Sequence, residues 1–560
     1  MKKFIFLFTL FFISLPGLYC QTNAPAIDSL KVQQLAGLCR VWGFLKYYHP
    51  TIQKGIIDWD STLVHYIPKI LKVSNNEEYN KTINEFILLP GKVKKLNRPY
   101  KYLPKDTSYN NFDYAWISNE KLFSKENSKL LFEVIENYKP NKNIYITKEI
   151  NAEDLRYYQQ YRRNYSYFPD MPNSLLTMFR YWNSINYFFA YKKIMDENWN
   201  DILNEFIPKI ISASGKIDFY LVMAEMIAKT NDCHGFFDNG DFNAFFGSNL
   251  PIIVKLMENK TVITSIDADL SASTHLKVGD IILKINGTSI EEKRQSWKKY
   301  CNCSHPTSVD REIDMNLLRF PYYSSVTIIS LNQYQKTDTT TFDRNFFYSS
   351  PNEKKTLKWK NPIENTAYID LSQCTMRDVR HFMNQNRKME GLIFDCRNNI
   401  SPPLLGIGLR LKRIKNHPAN CAIWYIGKYK YPGTFKRSYA KDYLYGLRTF
   451  HRKFKGQAVF LINEKNQSMD EDMLMQLKSG YAVTFVGNVT SGTDGEVRSL
   501  KLQKNFIVYF TGDAVFFSNG QYFQRKGLVP DIPVALSIKG IQQGKDEILE
   551  RALEYIKTGK

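Results

Sequence analysis

AVFLINEKNQSMDEDMLMQLKSGYAVTFVGNVTSGTDG, residues 458–495, is the stretch whose reading decides the fold. Residues 458–462 are an unbroken apolar run of the length of a buried strand. Residues 463–467 are polar and read as a turn. From Ser468 onward, Met469, Met473, Leu474 and Leu477 fall on one face at helical spacing. Residues 482–486 are a second apolar strand that ends in a Gly/Thr-rich turn. A serine at a strand-to-helix turn can project its hydroxyl above a sheet. Backbone N–H groups at the start of the helix point into the same space and can hold an oxyanion. That is the geometry a serine nucleophile needs; the plainer reading of Ser468 is an ordinary helix N-cap.

Working outward, the 560 residues are enough for three or four domains, and 43% hydrophobic with 14% aromatic content suits packed globular structure. The net charge of +21 comes from 76 Lys+Arg against 55 Asp+Glu. Such a balance raises nucleic acid as a partner, but the lysines are scattered and no nucleic-acid motif accompanies them. The surplus reads as a lysine-rich surface, able to stay near an anionic membrane or attract acidic peptides. At the N-terminus, Lys2 and Lys3 precede the apolar run 4–15, Pro16-Gly17 breaks it, and Cys20-Gln21 follows. This predicts a secretory signal over residues 1–20 and export to the periplasm or medium, with a lipid-modified Cys20 as the lesser alternative. No later stretch is apolar for long enough to span a bilayer. Without Cys20, seven of the eight cysteines remain, an odd and sparse set that describes neither a disulfide framework nor a zinc site. No metal or cofactor is expected.

The first part of the chain repeats itself. RVWGFLKYYHP from Arg40 matches RYWNSINYFFA from Arg180, Asp58-Trp59 matches Asn198-Trp199, and YIPKIL from Tyr66 matches FIPKII from Phe206. Every pair is separated by 140 positions, which predicts a duplicated helical unit with Trp42 and Trp182 in equivalent core positions. Residues 21–245 are therefore read as a helical domain, its copies at 32–90 and 172–230, with a polar, Tyr-rich insert at 92–171. The second copy runs into KTNDCHGFFDNGDF, which places His234 in a loop directly after a helix, where chemistry is often carried.

Residues 246–345 change character. LKVGDIILKINGTSIEE, residues 276–292, reads as a Gly279-Asp280 turn, a strand over 281–285, an Asn286-Gly287 hairpin turn and a helix from about Ser289. It resembles a PDZ domain, a fold that adds a peptide strand to a sheet edge and captures terminal carboxylates. Residues 350–560 alternate strands (366–371, 391–395, 506–510) with helices (376–387, 546–556), which indicates a layered α/β domain.

Several motifs now line up in order: the D-x-H element of Asp232 and His234, GDIILKING, GLIFDCRNN from Gly391, NEKNQSMDE around Ser468, VGNVTSGTDG and KGLVPDI from Lys526. Together they resemble the tail-specific, or C-terminal processing, serine proteases, most closely the tricorn-core-like and exported Bacteroidetes-type members. The resemblance implies a crotonase/ClpP-like catalytic fold and peptide or unfolded-protein substrates. It makes Ser468 the nucleophile and Met469 N–H, with one from Asn399, the oxyanion donors. The lysine base of the bacterial processing branch is absent, because TSGTDG holds Thr493 and Asp494 where that branch has TFGKG. The tricorn-like branch takes its base from the D-x-H region, which falls on His234. The serine and glutamate that support that histidine are here Cys233 and Gln524. Gln524 can orient an imidazole but cannot neutralise an imidazolium. The glycine-rich turn after the GLIFDCRNN strand is replaced by Ile400-Ser401-Pro402-Pro403, and prolines donate no N–H. These departures keep a second expectation open, a catalytically silent peptide-binding scaffold of the cell envelope. A glycan-processing role has no paired carboxylates to support it.

Overall fold

The computed structural model describes residues 27–97, 109–111, 113–146, 154–155, 170–321, 324–342, 359–363, 365–398, 400–401, 404–414, 420–428, 430–441, 453–503 and 506–560. The signal read over residues 1–20, Asn399 and Pro402-Pro403 lie outside them. The helical, antiparallel-β and α/β order expected from sequence is what the chain adopts.

In the helical part, Ser29–Tyr48 packs on Trp59–Lys72, and Met171–Phe188 packs on Trp199–Ile211. A buried indole N–H needs an acceptor, and each pair solves this in the same way. Trp42 Nε1 donates to the Trp59 carbonyl at 3.0 Å and Trp59 Nε1 to the Trp42 carbonyl at 3.0 Å. Trp182 and Trp199 exchange the matching bonds at 2.8 and 2.9 Å. Asp58 and Asn198 cap the equivalent helices. The copies also exchange side chains. Arg180 reaches across to Asp60, and Arg40 reaches across to Asn200, which stands where the second copy matches Asp60. Asp60 also accepts from fully buried Lys46 at 3.1 Å. The insert contributes more than decoration: the helix Lys125–Glu136 packs on Asn76–Leu88, with its Asn127 amide bonded to Asn80.

The middle of the chain is an antiparallel sheet in the order Thr337–Phe342, Val326–Leu331, Ile281–Ile285, Lys260–Ile266, Ile252–Met257. Asn286 and Gly287 both have positive φ, which gives the tight turn into Thr288–Ser289. Ser289 caps the helix Ile290–Lys298.

The C-terminal part is built on a sheet ordered Trp359–Ile363, Thr366–Asp370, Gly391–Asp395, Gln457–Ile462, Thr484–Gly487, Ile532–Pro533. The first pair is antiparallel and the rest are parallel. Its central strands are buried along their length, as the continuous apolar runs require.

One further element positions the site. The hairpin Val497–Gln503 and Phe506–Thr511 turns Leu500, Leu502, Phe506, Val508 and Phe510 into the same core as the helices. Arg180 also donates to the Leu502 carbonyl at 2.8 Å. The strand Phe237–Asp238, just beyond His234, pairs with Ile507 and Val508. The loop leaving the helical part is thereby stitched to the C-terminal part.

Candidate active site

Ser468 stands at the C-terminal end of the central strand Gln457–Ile462, after the turn 463–467, and opens the helix Met469–Gly480. Asparagine side chains hold this turn: Asn466 Oδ1 accepts from Asn463 N–H at 3.0 Å, and its amide donates to the Cys396 carbonyl at 2.6 Å. Ser468 has φ 58° and ψ −122°, a conformation that glycine adopts freely and other residues rarely. Ser468 is the N-cap of this helix, as the plainer reading has it, but its backbone is not the extended one of an ordinary cap. The neighbouring Met469 side chain is 72% exposed, so the start of the helix faces open space.

The strained turn is held by Glu471. Its buried carboxylate accepts the Ser468 N–H at 3.2 Å, the Gly492 N–H at 2.7 Å, the Thr493 N–H at 2.9 Å and the Thr490 hydroxyl. Burial pushes Glu471 up to about 8, and the bonds from Thr490, Thr493 and Gly492 pull against it. The Ser468 N–H also donates to the Thr493 carbonyl at 2.8 Å. The TSGTDG segment is thus the wall against which the serine turn is braced. Ser468→Gly is expected to stabilise the protein by about 1 kcal/mol, because the strain disappears. Ser468→Ala keeps the strain and is expected to leave stability unchanged. Paired urea midpoints check both.

From Thr493 a continuous buried polar network runs to the His234 loop. Thr493 Oγ1 meets Ser304 Oγ; Gln524 Nε2 donates to Ser304 Oγ at 2.9 Å and to Asp232 Oδ1 at 3.1 Å. The Asp494 N–H donates to Gln524 Oε1 at 3.3 Å. Thr511 donates its backbone N–H to Asp232 Oδ2 at 2.9 Å, and its hydroxyl lies 2.9 Å from both Asp232 oxygens. The same hydroxyl lies 2.9 Å from His234 Nδ1. The other ring nitrogen, Nε2, is buried and has no hydrogen-bond partner among the described residues, Ser468 included. Burial lowers the His234 pKa, with Asp232 and Cys233 pulling it back. Burial raises that of Asp232, with His234 and the Thr511 bonds opposing.

Gln524, expected beside the imidazole, is placed against Asp232 instead. Thr511 holds the ring, and nothing in the sequence singled it out: it is one residue of an ordinary strand, 277 positions from His234. Cys233 Sγ accepts from Ser304 N–H at 3.2 Å and from Ser491 Oγ at 3.4 Å. Burial alone would raise its pKa; the bonds from Cys303, Ser491 and Thr493 and the nearby Arg311 guanidinium outweigh that and hold the thiol well below its usual range. The antiparallel sheet's companion helix, Pro306–Asn316, grips the same turn from the other side. Arg311 donates to the Glu464 carbonyl at 2.7 Å and to Gln467 Oε1 at 2.9 Å, immediately before Ser468.

Comparison with known proteins follows this geometry. Residues 412–534 match peptidase family S41, and residues 243–296 match the PDZ domain. No curated protein matches the chain. Mature CPAF complexed with lactacystin is similar in fold at 12% identity and a TM-score of 0.54, over 70% of this chain and 99% of that one. Mature CPAF without that ligand gives 12% identity and 0.52, over 69% and 98%. The photosystem II D1 C-terminal processing protease aligns at 15% identity with a TM-score of 0.38, over 67% and 98%.

Proposed function

We propose that this chain, of which residues 412–534 match peptidase family S41 and residues 243–296 the PDZ domain, is an exported peptidase cutting peptides or unfolded protein tails, with Ser468 as nucleophile and His234 as base. One observation carries this reading. A serine held in a strained strand-to-helix turn is tied, through an unbroken buried network, to a histidine whose Nε2 has no partner among the described residues. A serine hydroxyl is essentially un-ionised at neutral pH and needs such a base. His234 Nε2 takes the Ser468 proton as Oγ attacks the peptide carbonyl, and returns it to the leaving amine. The Met469 N–H, in the first turn of its helix, receives the oxyanion; the Ser401 N–H, from the turn expected to give a second donor, is spent on the Leu371 carbonyl at 3.3 Å. The PDZ domain presents the substrate tail, and Arg311 ties that domain to the serine turn. Export rests on the basic and apolar residues 1–20. Among the described residues no helix is long and apolar enough to cross a membrane.

A second reading, a silent peptide-binding scaffold, is favoured by Gln524. Its amide is spent on Asp232 and Ser304, where the tricorn-like branch has a glutamate. A fluorophosphonate probe decides between the two. The folded full-length chain is expected to label on the peptide containing Ser468, and Ser468→Ala is expected not to label. A folded parent that does not label is the scaffold.

A further inference from the structure

We propose that Asp232 and Thr511 are the positioning residues of the base: Asp232 supplies the negative charge behind His234, and the Thr511 hydroxyl passes it on to the ring. The inference rests on the Ser468–His234 reading and adds the source of the charge that Gln524 cannot give.

The Thr511 hydroxyl carries a single hydrogen and has three acceptor atoms within reach: both Asp232 oxygens and His234 Nδ1, all at 2.9 Å. The carboxylate is the stronger acceptor, so the hydroxyl proton goes to Asp232. The Thr511 oxygen can then only accept from the ring, which puts the hydrogen of neutral His234 on Nδ1. Nε2 is left with its lone pair, and among the described residues it is the ring nitrogen without a partner. A general base needs this tautomer. When His234 takes the serine proton, the new positive charge faces the Thr511 oxygen, itself polarised by Asp232.

The surroundings hold Asp232 as an acceptor. It also receives the Thr511 N–H at 2.9 Å, Gln524 Nε2 at 3.1 Å and the His234 N–H at 3.3 Å. Gln524 is therefore a brace that keeps the carboxylate aimed at Thr511. These donors favour the charged form and oppose the burial that raises the Asp232 pKa. The titratable groups acting on His234 are Asp232 and Cys233, while Thr511, from the hairpin, is uncharged at any pH. The register supports the placement: Phe506, Val508 and Phe510 point into the core, which leaves Thr511 at the strand end beside the loop that the neighbouring strand Phe237–Asp238 carries.

The test is the rate of fluorophosphonate labelling of Ser468 as a function of pH, in the full-length chain. Thr511→Val keeps the shape and removes the hydroxyl. It is expected to slow labelling about 10–100-fold with unchanged melting temperature, and to move the acid limb to lower pH, because the imidazolium loses its acceptor. Thr511→Ser is expected to recover the parent rate to within about 3-fold, a fraction of that loss. Asp232→Asn is expected to slow labelling with the hydroxyl still present. A Thr511→Val protein that labels at the parent rate with the parent acid limb overturns the proposal. So does a Thr511→Ser protein as slow as the valine variant, since packing and not the hydroxyl would then be what matters. A folded parent that fails to label overturns the Ser468–His234 reading and this one with it, whereas a labelling parent with an indifferent Thr511 overturns this one alone.

Discussion

Ser468→Ala is expected to lower peptide cleavage by about 10³–10⁶-fold while the protein stays folded, and His234→Ala is expected to do the same. The size follows from what each side chain does. Without the hydroxyl no acyl-enzyme forms, and what remains is whatever the oxyanion donors and bound substrate achieve with water. Without the imidazole the hydroxyl keeps its proton at neutral pH, and attack by the un-ionised form is slow. The two act as one unit, so the double variant is expected to be no slower than either single one. Independent contributions would multiply instead, and multiplying losses would separate the serine from the histidine. The pH profile adds a check of its own. A base works only when neutral, and burial holds His234 below its ordinary value despite Asp232 and Cys233. The neutral form then persists into more acidic solution, so the acid limb of kcat/KM is expected below about 6.5, the value for an unperturbed histidine. Steady-state cleavage of an unstructured peptide between pH 4.5 and 8 reads both the loss and the limb. An acid limb above 6.5 would mean that another group takes the proton.

How much of this was legible in the chain depends on how local each signal is. The strand, turn and helix around Ser468 are contiguous, so apolar spacing alone located them; the φ of 58° could not be seen, because it is held by bonds to distant residues, from Asn466 to Cys396 and from Glu471 to the segment 490–495. The duplication was legible because both copies keep the same side chains at a fixed offset, and these turn out to include the reciprocal Trp bonds. The helix Lys125–Glu136 was missed. Its buried face is small, Leu131 and Val134 with Asn127, and its hold on the neighbouring helix is an amide pair rather than an apolar stripe. Gln524 was found by motif and its neighbour misassigned, since a motif gives an order along the chain and not which of two adjacent residues an amide will touch. Thr511 had no signal at all: its importance lies in meeting Asp232 across 279 positions of sequence.

Asp60→Ala is expected to cost about 3–5 kcal/mol of stability. The Asp60 carboxylate accepts from the fully buried Lys46 ammonium, which also lies over the rings of Trp42 and Tyr145, and it receives Arg180 from the other copy. Removing it takes the counter-charge from two buried cations at once. Lys46 has a partial escape: burial already lowers its pKa to about 7, with Asp60 opposing, so without the carboxylate it can lose its proton. The sign of the pH dependence follows. Between the depressed folded value and the ordinary value of about 10.4 for an exposed lysine, the unfolded chain holds the extra proton, so stability rises with pH in that window. The Asp60→Ala deficit is therefore expected to be larger at pH 6 than at pH 9. Arg180 loses the same acceptor at either pH, so a deficit is expected to remain at pH 9. Asp60→Asn is expected to fall between the parent and Asp60→Ala, since the second copy already pairs Arg40 with Asn200 at 3.3 Å. Urea midpoints at the two pH values decide it; equal deficits at both would mean that Lys46 is not the charge the carboxylate offsets. The consequence reaches the active site through Leu502, whose carbonyl Arg180 also holds. That hairpin ends in Thr511, so a variant loosened at Asp60 is expected to lose cleavage at lower urea than it loses its far-ultraviolet signal, the base slackening before the helices melt.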